Sequence, residues 1–225
     1  ANPFEKESKL LTAPNLKLPK SPKEIVTAAN QEKMIAQVNK LRDSDSRLLQ
    51  SKNYEVFFSE AFKIPNVLHE IGRLREVTFR EVGEGTNESI DLDKYDQYYR
   101  HLFLWDDETK QIAGAYRMGL GSQIYPKYGI EGFYLNDLFR FEPELHDMMH
   151  KSIEMGRAFI TKEYQQKPMP LFLLWKGIIH TTLRYPEHKF LLGGVSISNQ
   201  FSDFSKSLMI EFMKSNYYDP YIAQY

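Results

Sequence analysis

His101-Leu102-Phe103-Leu104-Trp105, then Asp106-Asp107-Glu108-Thr109-Lys110, then Gln111-Ile112-Ala113-Gly114-Ala115-Tyr116-Arg117-Met118: this stretch gives the chain its first structural meaning. Bulky aliphatic and aromatic side chains fit a pleated, buried surface. Two such runs separated by five polar residues predict strand, turn and returning strand, a β-hairpin near the middle of the sequence.

Working outward, residues 82–89 form a polar, glycine-bearing loop. Before it, Pro65 opens a helix that runs to about Arg80, with Val67, Ile71, Leu74 and Val77 on one face. Tyr54-Glu55-Val56-Phe57-Phe58 reads as the first strand, and the polar residues 43–53 as a connection. Ser21-Pro22-Lys23-Glu24 has the form of a capping box, which predicts a helix over 21–41. Residues 1–20, with four Lys and three Pro, read as a linker or arm. Downstream, a short strand is expected within 134–141, a helix over 144–151, a strand over 153–160 and a helix over 171–185. A buried strand over 190–197, interrupted by Gly193-Gly194, and an amphipathic helix over 201–216 follow. Strands alternate with helices, so the class is α/β or α+β, a mixed central β-sheet flanked by helices.

Composition narrows the function. The 225 residues carry a net charge of -1, 26% charged and 42% hydrophobic side chains, 14 Tyr, 15 Phe and no Cys. There is no basic excess for nucleic acid. Disulfides and cysteine metal sites are excluded, and a reducing cytoplasm is allowed. No run approaches the ~18 apolar residues of a membrane span.

Several short segments recur in an order that carries a resemblance. They are G-R-L-R-E-V-T-F-R at 72–80, G-E-G-T at 83–86, D-L-D-K-Y-D at 91–96, H-L-F-L-W-D at 101–106 and G-A-Y-R at 114–117. E-M-G-R at 154–157, L-L-W-K-G-I at 173–178 and G-V-S-I-S at 194–198 complete the series. Over roughly residues 54–200 the chain resembles the bacterial ornithine-acyl-carrier-protein N-acyltransferases, also called hemolysin-like GNAT proteins. It is distantly similar to the acyl-homoserine-lactone synthases. The resemblance implies a GNAT-like fold for a domain over 21–225. It implies transfer of a long, in some members 3-hydroxylated, acyl group from acyl-carrier protein or coenzyme A to the amine of an amino acid such as ornithine or glycine. The product would be a lyso-aminolipid, made without a permanently bound cofactor, in the cytoplasm or at the inner membrane. In some relatives the domain is fused to a glycerolipid-type acyltransferase. The family's sheet usually continues beyond the helix placed at 201–216, so the resemblance also implies that the last strands are missing here. Two other readings remain beside this one: a homoserine-lactone-type synthase, and a non-catalytic, membrane-associated hemolysin-like protein.

The same resemblance nominates site residues. Two strands, 153–160 and 190–197, would splay to admit the carrier's pantetheine arm. Glu154 and Arg157 match an E-x-x-R pair, with Glu154 as the group that accepts or orients the amine; the plain alternative is a strand Glu paired with a surface Lys. Spacing of three places two strand residues on opposite faces unless a bulge intervenes. Asp93 and Asp96 match an acidic pair, and Arg75, Phe79 and Arg117 also match; capping by Asp91 or Asp93 competes with substrate binding. Arg117 would fork onto Asp93 or Asp96, and Arg75 would meet the acceptor's carboxylate or form an ion pair. Lys162, Lys167 and Lys176 flank the expected phosphate loop before the helix at 171–185. The D-x-D start at 91–93 lacks the calcium-loop ligands and glycine. His101 reads as a core or surface histidine, and His146 with His150 carries no zinc signature.

Overall fold

The computed structural model describes residues 21–198 and 200–222. The predicted arm at 1–20 lies outside the described residues. Six strands, β1 (Arg47–Ser51), β2 (Tyr54–Glu60), β3 (Arg100–Asp106), β4 (Gln111–Leu120), β5 (Ser152–Ile160) and β6 (Phe190–Leu192), lie side by side in chain order. The first four junctions are antiparallel, and β5 with β6 is parallel. A parallel pair needs a crossover, and the helix between these two strands supplies it.

The central hairpin stands where the sequence put it. Phe103 and Ala115 fall on one face with Phe57, where α1 (Gln31–Arg42) and α2 (Pro65–Glu81) cover them; a register shift between Leu104 and Trp105 breaks the alternation of β4 and puts Ala113 on the other face. Leu102, Leu104 and Ala113 point the other way, with Val56 and Phe58, under Leu173 and Leu174 of α6 (Pro168–Arg184), which follows the one-turn α5 (Lys162–Gln165). Phe57 and Phe103, directly opposite in register, stack with ring centroids 5.3 Å apart. At one end of the sheet a third cluster, with Tyr99, Ile124, Phe133 and Met149, is built from α3 (Gly121–Tyr128), α4 (His146–His150) and their connections.

Five expectations are corrected. No helix starts at Ser21: residues 21–30 run without regular structure, and Lys23 and Val26 donate backbone N–H to the carbonyls of Asn87 and Ser89. The β-branched run Ile25-Val26-Thr27 opposes helix there, and the true cap is Asn30, whose side chain accepts from Lys33 N at 2.9 Å. The supposed connection at 43–53 contains β1, a short edge strand whose polar residues mask it. The strand sought within 134–141 is a 3-10 turn, Tyr134–Asp137. The strand at 190–197 shrinks to three residues, of which Phe190 and Leu191 are exposed and Leu192 is half-buried. Finally α3, with Pro126 inside it, was not anticipated at all. The last helix, α7 (Asp203–Tyr217), is present, and none of its residues is buried.

Candidate functional site

β5 and β6 pair only at Ser152, Ile153 and Glu154, opposite Phe190, Leu191 and Leu192. Beyond that point they part. Gly193 marks the exit: a Cβ there would sit 2.8 Å from the carbonyl oxygen of Met155, so only glycine lets the chain leave at that angle. The opening is a cleft of about 1180 Å³, lined on one side by residues 154–158 and on the other by residues 191–198. Phe79 and Val82 from the end of α2, with Tyr134 and Leu135, complete the wall.

β5 carries a bulge inside this cleft. Ala115 of β4 faces Phe159 and Arg117 faces Gly156, so Arg157 and Ala158 together oppose the single residue Tyr116. Arg157 takes the left-handed conformation, with φ 51°. Such a conformation costs a non-glycine residue about 1–3 kcal/mol and persists only where its surroundings impose it. A bulge also frees backbone groups from the ladder. It cancels the strand's alternation, and Glu154 and Arg157 both line the cleft.

Glu154 is buried where the strands divide. Its Oε2 accepts the Tyr99 hydroxyl at 2.7 Å, and its Oε1 accepts the Leu135 N–H at 3.1 Å. The Tyr99 oxygen accepts the Tyr134 N–H at 3.0 Å. Gly119 makes this possible, since a Cβ there would lie 2.5 Å from the Tyr99 ring. Burial pushes the Glu154 carboxyl above the usual carboxylate range, against the hydrogen bonds that favour its charged form. A carboxylate has about four lone-pair sites, so two bonds leave Glu154 able to accept a proton from the cleft.

Behind Glu154 lies a set of buried charges. Arg117 Nη1 reaches Asp93 Oδ1 at 2.7 Å and Asp96 Oδ2 at 3.1 Å, and Arg75 Nη1 reaches Asp96 Oδ1 at 2.7 Å. Burial alone would raise the Asp96 carboxyl, but the two guanidinium groups overcome it and hold it at about 2. Asp93 also accepts from Tyr95 N and caps the 3-10 turn Lys94–Gln97. The Arg117 guanidinium lies 5.3 Å from the Tyr99 ring and 5.1 Å from the Tyr134 ring, within cation–π range. His101 is wholly buried and bonds the Asp96 carbonyl at 2.9 Å; burial, reinforced by Arg75, lowers it to about 4.

The structure thus brings Glu154, Arg157, Asp93, Asp96 and Arg117 to one place, but in two layers. Glu154, Arg157 and Phe79 face the cleft. Arg75, Asp93, Asp96 and Arg117 do not line it; their charges pair with one another, although Arg75 Nε and Nη2 are left without hydrogen-bond partners. Arg75, expected at the acceptor's carboxylate or in an ion pair, takes the ion pair and is fully buried. Of the three lysines expected near the carrier's phosphate, none lines the cleft. Lys162 reaches only its rim, 3.7 Å from Glu81, Lys167 lies over Tyr164, and Lys176 lies over Phe172 of its own helix. The sequence reading missed Tyr99, Tyr134 and Gly119. No spacing signals them, because they meet Glu154 only through the sheet and a loop. His146 bonds Tyr125, and among the described residues no cluster of His, Asp or Glu suits a metal ion.

Residues 74–175 match the model of the acetyltransferase (GNAT) domain. The chain is similar to a glycine N(alpha)-acyltransferase of Bacteroides thetaiotaomicron, 30% identical over 207 residues, which are 87% of this chain and 61% of that protein. It is also similar to one of Phocaeicola vulgatus, 28% identical over 207 residues, 87% of this chain and 63% of that protein. The chain therefore spans under two thirds of the length of either relative. No solved structure matches significantly. A mixed six-stranded sheet covered by helices on both faces, opened between a bulged β5 and a short parallel β6, and matched across its centre by that domain model, is a GNAT-like α/β fold.

Proposed function

We propose that this chain is an N-acyltransferase that moves a long acyl group from a thioester carrier, acyl-carrier protein or coenzyme A, onto the amine of glycine. The observation that supports it best is Glu154, a buried base at the floor of a cleft between diverging strands. The acyl thioester lies in the gap, and backbone N–H groups freed by the bulge polarise its carbonyl. Glu154 takes a proton from the ammonium of glycine, directly or through water. The amine nitrogen bonds to the carbonyl carbon, the C–S bond breaks, the departing thiolate takes the second proton from that nitrogen, and Glu154 returns the first to solvent. Phe79, Val82, Leu138 and Phe139 give the cleft an apolar wall suited to an acyl chain. Glycine is favoured over ornithine because both relatives bear it in their names. A lipid-like product favours peripheral contact with the inner membrane; no helix among the described residues is long and apolar enough to span one.

The test is thiol release from long-chain acyl-carrier protein and from acyl-coenzyme A, with glycine, with ornithine and with neither. Glycine-dependent release and N-acylglycine in the mass spectrum are expected. Glu154→Gln should lower turnover by roughly 10²–10⁴-fold. Release that ignores the amine, or full turnover by Glu154→Gln, sinks the reading.

A further inference from the structure

Among the described residues lining the cleft, one side chain is a cation: Arg157. Its guanidinium is held but not saturated. Nη1 lies 3.6 Å from Asp91 Oδ2, beyond a hydrogen bond. Nε is buried without a hydrogen-bond partner, and so is Asp91 Oδ2. The Tyr134 ring centroid lies 5.5 Å away, within cation–π range. Arg75 and Arg117 pair with Asp93 and Asp96 and do not reach the cleft; Arg75 also has nitrogens without partners, but it is wholly buried, so Arg157 is the cation a ligand in the cleft can meet. An unsaturated guanidinium in a strained, left-handed residue is a binding group waiting for an anion.

We propose that Arg157 takes the carboxylate of the amino-acid acceptor and makes a free α-carboxylate a condition of recognition. This rests on the acyl-transfer reading of the same cleft. In glycine a single methylene separates amine from carboxylate, and Glu154 and Arg157 lie three residues apart on β5 and line the same cleft. An acceptor amine at Glu154 turns its carboxylate toward the one cation that lines this cleft among the described residues. The donor's phosphate is the other anion available, but the whole pantetheine arm separates it from the thioester that the amine attacks.

Arg157→Asn tests this. Asn tolerates the left-handed backbone, so the bulge survives while the guanidinium goes. Ligand-observed NMR of glycine and glycinamide on the intact chain is read beside turnover with a long-chain acyl thioester. Wild type should bind glycine more tightly than glycinamide. Arg157→Asn should weaken glycine roughly 10- to 100-fold, in KM more than in kcat, and leave glycinamide unchanged. Arg157→Lys, which keeps the charge and loses the fork, should fall between. Equal binding of the two ligands by wild type, or unchanged glycine binding by Arg157→Asn, overturns the inference, as does an equal loss for both. Carboxylate-dependent binding without amine-dependent thiol release would leave the Arg157 subsite standing and sink the acyl-transfer reading alone.

Discussion

Two charged groups lie next to each other in this molecule and are built in opposite ways. Arg75, Arg117, Asp93 and Asp96 are paired into a set in which Asp96 serves both cations. Glu154 and Arg157 line the cleft and keep bonding capacity in reserve. Saturation alone does not separate them, because Arg75 also leaves Nε and Nη2 without hydrogen-bond partners; what separates them is access, since Arg75 is wholly buried and only Glu154 and Arg157 line the cleft. On the proposed reading the first group serves stability and the second the chemistry, although a residue-type match cannot tell them apart.

The largest effect expected from this contrast is on folding. Asp96→Asn leaves Arg75 wholly buried with no full counter-charge, and breaking such a pair costs about 3–5 kcal/mol. Urea denaturation should show that loss, whereas Glu154→Gln should keep its midpoint near wild type while turnover collapses. A double variant, Asp96→Asn with Arg75→Met, should recover part of the loss, because the stranded charge is gone. Wild-type stability in Asp96→Asn would erase the distinction between the two groups.

Acid probes the same contrast less severely. The folded protein keeps the His101 imidazole neutral down to about 4, whereas the unfolded chain takes up a proton near 6.5. The unfolded state binds more protons in that window, so stability is full above 6.5 and falls as pH drops toward 4, by on the order of 3 kcal/mol. Asp96, depressed from 3.8 to about 2, adds a further loss between those values. Glu154, raised by burial, acts in the opposite sense and offsets a part. Thermal melts at pH 7, 5.5 and 4.5 should show the decline, and His101→Gln should flatten it between 6.5 and 4. A slope unchanged by that substitution would detach His101 from the buried set.

How much of this was legible beforehand follows from what kind of interaction decides each element. The β3–β4 hairpin, α2 and α6 are written in local patterning, and the sequence reading placed them. β1 is a polar edge strand, defined by its partner β2 rather than by its own side chains. The bulge at Arg157 is a register event between β4 and β5, so the sequence allowed it as a condition and no more. Glu154 was nominated from a family resemblance. Tyr99, which holds it, lies 55 residues away and is brought in by β3 and by the space over Gly119. Helix α7 illustrates the converse: its amphipathic pattern was read correctly, yet Phe204 and Leu208 are exposed along it. Patterning predicts a helix; it does not predict what covers it.

The smallest effect tests the seam between the two groups. Tyr99 donates to Glu154 and stands within cation–π range of Arg117, so it belongs to both. Tyr99→Phe keeps the ring against Arg117 and removes only the hydroxyl. The stability cost should be about 1–2 kcal/mol, since the Tyr134 N–H also loses its acceptor. The sharper readout is pH. The Tyr99 hydrogen bond favours the charged Glu154, so removing it raises the Glu154 pKa further. A base works only when deprotonated, so the acid limb of kcat/KM must move to higher pH in Tyr99→Phe. A limb that stays still or moves down would mean that some group other than Glu154 takes the proton. The two layers would then divide the labour differently from the way their burial suggests.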